Sequence, residues 1–176
     1  MSAFLRAMSF RSACIIAAVL CAGLLGFGYF LQYVIGLNPC PLCLVQRGFY
    51  FGVLGVCVLG AIHAPRGIGT KVYGLLGLLS AMGGIVTAGR QVWLQHLPAD
   101  KVPECGPDLY YMIENFPLAQ TIANLFKGSG ECAVVDWTFV GLSIAEWSLV
   151  WFAALAAGSV WVMLREHPGG RRTLQV

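Results

Sequence analysis

Between Ser12 and Gln46 the chain has no charged residue at all. Charge is scarce throughout. Of the 176 residues only 11% are Asp, Glu, Lys or Arg, against about 25% in soluble domains, while 58% are hydrophobic. A larger core would not account for this composition. Other absences narrow the chemistry. No Ser-His-Asp arrangement, phosphate-binding loop or internal repeat is present. Nor do aromatic and basic residues interleave as they do in single-strand nucleic-acid binders, so no nucleic-acid partner is expected. Haem attachment needs a histidine after the second cysteine of a Cys-x-x-Cys pair, and Leu44 stands there.

What is present is a set of nearly uncharged runs. Four of them, over about 12–33, 44–62, 72–92 and 145–164, come close to the roughly 20 residues that a bilayer-crossing helix needs. The first follows Arg6 and Arg11, as a signal peptide would. It is longer than a signal h-region of about 7–15 residues, and no small-residue cleavage site follows it. The expectation is one all-α membrane domain over 1–176, a bundle of four transmembrane helices. Two loops, about 34–43 and 93–144, lie on one side of it.

The basic residues orient this bundle. Arg6, Arg11, Arg66, Lys71, Arg165, Arg171 and Arg172 all lie on the side of the two termini, seven of the eleven in the chain. Seven of the eight acids fall between Asp100 and Glu146, in the long loop on the other side. The positive-inside rule places both termini in the cytoplasm. The net charge of +3 then reflects topology. Small residues four apart, Gly48 with Gly52 and Ser80 with Gly84, suit close helix packing. In the long loop, "CGPDLYYMIENF" and "PLAQTIANLF" read as short amphipathic helices. Leu118, Ile122, Leu125 and Phe126 share one face of the second, which suits a helix lying flat on the membrane or packing on its own loop.

The seven cysteines sort by side. Cys14, Cys21 and Cys57 lie within spans and read as small buried hydrophobes. Cys57 is fourteen residues beyond Cys43, about 21 Å along a helix, and cannot meet the outer thiols. Cys40, Cys43, Cys105 and Cys132 fall in the two outer loops, an even number facing an oxidising compartment. Cys105 and Cys132 are too widely spaced for a zinc knuckle, which leaves two disulfides. A Cys105–Cys132 bond suits a loop staple. A Cys40–Cys43 bond closes so small a ring that it stabilises little, and such a bond tends to exist to be broken.

Pro39 and Pro41 stiffen the approach and are expected to leave Cys40 and Leu42 outside the helix that Cys43 begins. Unpaired N–H groups there favour a thiolate, and Arg47, four residues on, shares that face. An ionisable residue inside a span is a functional candidate by default. A thiolate at the membrane lip beside a cation is placed to pass electrons to something dissolved in lipid. Arg90 and Gln91, ending the third span, are candidates for the same pocket.

Four spans, the Cys-Pro-Leu-Cys motif with Arg47 beyond it, "PECGPDLYYMIENFPL" and "GSGECAVVDWTFVGLSIAEWSL" together resemble the disulfide bond formation protein B (DsbB) family along essentially the whole chain. The resemblance implies a bacterial inner-membrane oxidoreductase. Such an enzyme re-oxidises a periplasmic DsbA-type dithiol oxidase and passes the electrons to a membrane quinone, ubiquinone or menaquinone. It implies that Cys40–Cys43 is the quinone-proximal pair, Cys105–Cys132 the partner-facing pair, and Arg47 and Gln91 quinone-pocket residues. Some members have an acid where this chain has Gln46 and a histidine where it has Gln91. Two alternatives are an enzyme resembling vitamin K epoxide reductases, whose active cysteines usually fall nearer the end of the helical core, and a disulfide-stapled membrane scaffold.

Overall fold

The uncharged runs become four long helices in the computed structural model, which describes residues 9–102, 109–127 and 130–165. Helices α1 (Phe10–Tyr33), α2 (Pro41–His63), α3 (Ile68–Gln95) and α6 (Ile144–Leu164) are each long and apolar enough to cross a membrane. Between α3 and α6 lie α4 (Leu109–Asn115), α5 (Leu118–Lys127), two 3₁₀ turns at Ala99–Lys101 and Gly130–Ala133, and a hairpin of β1 (Thr138–Phe139) and β2 (Leu142–Ser143). All four spans sit where charge scarcity put them. The helices run on past the expected limits because their backbone hydrogen bonds do not stop at the first charged or polar residue. α3, for example, continues through Arg90 to Gln95.

Caps fix the ends that matter for the site. Pro41 occupies the first position of α2, where its missing N–H costs nothing and its φ is already helical. Leu42 is therefore inside the helix, contrary to the sequence expectation, and Cys40 is the N-cap. Ser143 caps α6 in a reciprocal capping box. Its hydroxyl accepts from the Glu146 N–H, and the Glu146 carboxylate accepts from the Ser143 backbone N–H at 2.7 Å. The same hydroxyl donates to Gln95 Oε1 at 2.8 Å, tying the start of α6 to the end of α3.

In the bundle α3 packs most extensively on α6 and then on α2, while α2 also packs on α1. The central joint is Phe152 of α6, fully buried against α3. A Cβ on Gly84 would lie 2.3 Å from its ring, so only glycine leaves the notch that the ring fills. On its other side Tyr50 of α2 stacks at 4.1 Å and 19°, with its hydroxyl donating to the Ser148 carbonyl. Gly52 likewise admits Ser80, whereas Gly48 has open space around it and is not a packing residue. Cys14, Cys21 and Cys57 all join the apolar core, with the Cys14 and Cys57 side chains in hydrogen-bonding contact across α1 and α2. The outward faces, including Ile16, Val19, Leu59 and Leu79, are exposed and apolar, as a lipid-facing surface requires.

In the loop, Thr121 of α5 is buried and donates to the Met112 carbonyl of α4. Leu118 and Ile122 stay 80% and 50% exposed, so these two stripe residues do not pack on the loop. The side chains of Leu125 and Phe126 lie outside the described residues. The sequence pattern gives no signal for the hairpin. Its two-residue turn, Val140-Gly141, has positive φ at both positions, as a type I′ turn requires.

The glycine notch yields a test. Gly84→Ala gains about 1 kcal/mol of helix propensity but overpacks the Phe152 site by about 1–3 kcal/mol, so its apparent Tm in detergent should fall. Gly48→Ala, with nothing within 4 Å, should keep or raise it.

Candidate active site

The first turn of α2 sets the site. With Cys40 as N-cap and Cys43 three residues on, both sulfurs project to one side, and the Cys40 thiol lies 3.0 Å from the Cys43 sulfur. Cys132, in the 3₁₀ turn, is fully buried against the same point and clusters with Cys40, Leu42 of α2 and Leu94 of α3. Hydrogen bonds to Cys132 and Cys43, together with burial, push the Cys40 thiol well above its ordinary range. Three of the four cysteines outside the spans thus meet at one place. Cys105 lies outside the described residues.

The polar partner of these sulfurs is Gln91. Its Nε2 donates toward Cys43 at 3.2 Å and Cys40 at 3.4 Å, and its Oε1 accepts from Gln46 Nε2 at 2.7 Å. The sequence gives Gln46 no role, marking it only as a polar residue inside the second span and a departure from relatives. What could have drawn attention to it is that an amide inside a span must find a partner there. Arg47 departs from its expected geometry. Its hydrogen bonds go to α1, to Gln32 Oε1 and to the Gly28 carbonyl at 3.0 Å, with the guanidinium 4.9 Å from the Tyr29 ring centroid. It is therefore a wall of the site, and the direct contacts to the sulfurs are those of Gln91. Arg90 lies over the Trp93 ring at 4.2 Å and is not one of the residues lining the cavity described below.

A cavity of about 1220 Å³ opens beside the cysteines, between α1 and α6. Cys40, Cys43 and Gln91 lie at one end, Arg47 with Gln32 and Gly28 along α1, and Trp147 and Trp151 along α6. Leu24, Leu25 and Tyr50 line it deeper in the bundle. The segment from Val134 to Phe139 borders it as a strap between the two helices. Trp137 packs edge-on against Phe27 of α1 at 5.6 Å, and Phe139 accepts the Trp147 indole N–H at 3.0 Å. Cysteines three residues apart at a helix start, a third within reach, and an apolar cavity adjoining them define a multi-pass membrane protein built for thiol–disulfide chemistry.

Known proteins agree with that class. The family described as Disulfide bond formation protein DsbB matches residues 10–162. A relative named Disulfide bond formation protein B from Marinobacter nauticus is 47% identical over 149 residues, covering 85% of this chain and 89% of that protein. Proteins of the same name from Hahella chejuensis and Nitrosococcus oceani are 51% identical over 141 residues and 46% identical over 162, covering 80% and 92% of this chain and 84% and 96% of their own. The chain belongs to the DsbB family, and its oxidoreductase chemistry is the formation of disulfide bonds.

The contact between Cys40 and Cys132 is directly testable. In a chain carrying Cys43→Ser and Cys105→Ser, a mild oxidant should form a Cys40–Cys132 disulfide in high yield without loss of helical circular dichroism. Peptide mapping reads the bond. Cys40, with its thiol held protonated, should be alkylated slowly at pH 7.5 in the reduced protein, and more than tenfold faster once unfolded.

Proposed function

We propose that the protein re-oxidises a DsbA-type dithiol oxidase at the outer face of the bacterial inner membrane. The electrons pass through Cys105–Cys132 and then Cys40–Cys43 to a membrane quinone. The observation that carries this reading is that Cys40 and Cys43 line a largely apolar cavity between two spans while Cys132 is buried against Cys40. A water-borne acceptor would need no such cavity. The lining suits a quinone. Aromatic and aliphatic walls take an uncharged ring, Arg47 has N–H groups beyond those on Gln32 and Gly28 to offer a carbonyl oxygen, and Gln91 stands in the cavity wall beside the sulfurs. When bound, the quinone supplies an acceptor for two electrons and two protons. Both termini lie in the cytoplasm on this reading, supported by the seven basic residues at that end of the chain's topology.

The exchanges balance as follows. A thiolate of the partner attacks Cys105, breaking Cys105–Cys132 and freeing the Cys132 thiolate. Cys132 attacks Cys40, forming Cys40–Cys132 and releasing Cys43 beside the Gln91 amide. The partner's second thiol displaces Cys105 and leaves the partner oxidised. Cys105 then displaces Cys40 from Cys132, restoring the outer disulfide and leaving Cys40 and Cys43 reduced. Two electrons and two protons leave that dithiol as its bond re-forms. The 3₁₀ turn holding Cys132 against Cys40 makes the second exchange local.

Three variants test the route. Arg47→Met should raise the apparent KM for quinone about 10–100-fold, the range for losing a hydrogen bond from a charged donor, while stoichiometric thiol exchange with the partner is largely kept. Arg47→Lys should fall between, keeping charge without the planar fork. Equal damage to both steps would point to folding instead. A partner lacking its resolving cysteine should be trapped on Cys105, and trapping on Cys40 or Cys43 would reduce the outer pair to a staple. A Cys14→Ala, Cys21→Ala, Cys57→Ala chain should still turn over.

A further inference from the structure

Two amides meet inside the bundle where a pair of leucines would be simpler to bury. Gln46 of α2 and Gln91 of α3 are each only 4% exposed. A primary amide has one end that accepts and one that donates. Gln46 Nε2 engages the accepting end of Gln91 at 2.7 Å, and that leaves the donating end toward Cys43 at 3.2 Å and Cys40 at 3.4 Å. The Cys43 thiol also lies 3.5 Å from Gln91 Oε1, the longest of these contacts. A reversed Gln91 would set oxygen lone pairs against any sulfur that carries negative charge. Nothing in an isolated glutamine opposes that reversal, whereas here the Gln46 N–H sits on the oxygen end of Gln91.

We propose that Gln46 is a positioning residue: by occupying the Gln91 carbonyl oxygen it locks the Gln91 N–H₂ onto the Cys40–Cys43 sulfurs, so that a neutral dipole holds the departing thiolate. The inference deepens the reading above, in which Cys43 is the sulfur released, but the lock is defined by the sulfurs and not by the electron acceptor. It makes a prediction about atom types. A carboxylate at position 46 accepts and cannot donate, so it should draw the Gln91 N–H₂ to itself and turn the oxygen to the sulfurs. An imidazolium at position 91 can satisfy that carboxylate with one ring N–H and present the other to sulfur.

The test needs no quinone. In full-length chains with Cys43 as the sole cysteine, the rate of alkylation by N-ethylmaleimide is measured at pH 7.5 and at pH 10. The ratio of the two rates reports thiolate fraction and cancels access. Gln46→Leu should lower the ratio about threefold and Gln46→Glu about tenfold, within the range for a hydrogen bond to a charged group. The double variant Gln46→Glu, Gln91→His should return to within about threefold of the parent, and should exceed Gln46→Leu, Gln91→His. Simple repulsion by the new carboxylate predicts the opposite order, and that result would overturn the proposal. So would an unchanged ratio in both single variants with intact helical circular dichroism. Should the alkylation pattern hold while the parent with all its cysteines fails to reduce quinone, the lock stands and the proposed acceptor falls.

Discussion

The seating of Phe152 in the notch left by Gly84 is the contact on which the bundle's shape depends. It draws α6 onto α3, and through the stacked Tyr50 it fixes α2 as well. Three helices are thereby committed to one another. α1, held chiefly through α2, is left standing apart from α6. The cavity is the space that this arrangement leaves open. Bilayer helices gain no hydrophobic driving force from meeting one another, so steric fit of this kind has to supply the association. The site therefore depends on a packing joint that holds none of its sulfurs or their amide partner and touches the cavity only through Tyr50.

The sequence disclosed the spans and the paired cysteines at a helix start because both follow from local rules. Uncharged length marks a membrane helix, and Cys-Pro-Leu-Cys at a helix start is readable without neighbours. It disclosed the partners of those groups poorly, because these come from other helices. Arg47 is four residues from Cys43, yet its guanidinium answers to Gln32 and Gly28 on α1. Gln91 lies 48 residues beyond Cys43 and touches its sulfur. Of two glycines with the same spacing signal, Gly52 faces Ser80 and Gly48 faces nothing within 4 Å, a distinction set by helix rotation. The hairpin was missed for a different reason: two-residue strands carry too little alternation to register as a period.

The site separates two electrostatic tasks that the sequence reading had merged. A full charge, Arg47, stands along the α1 wall, where it meets a carbonyl, an amide oxygen and an aromatic face. A neutral amide meets the sulfurs. In surroundings of low dielectric a fixed cation beside the cysteines would bias them strongly and permanently toward the thiolate. A dipole favours the same state more gently. The strap, which follows directly on the 3₁₀ turn of Cys132 and has Trp137 in its middle, adds a mechanical link, since the chain that brings the third sulfur continues across the cavity from α1 to α6.

The attachment of Arg47 to α1 bears on how such a chain is made. A guanidinium within a span is costly to place in lipid, on the order of 2.5–3.5 kcal/mol at mid-helix by insertion scales. Its observed hydrogen-bond partners lie on the helix that leaves the ribosome just before it, across a connection of only a few residues. An antiparallel α1–α2 hairpin can therefore carry the charge into the bilayer with its donors already matched. α3, bearing Gln91, can then arrive to meet Gln46, so that each polar group enters lipid beside a partner that is already there or follows in the next helix. The order of synthesis is in this sense written into which helix answers which side chain.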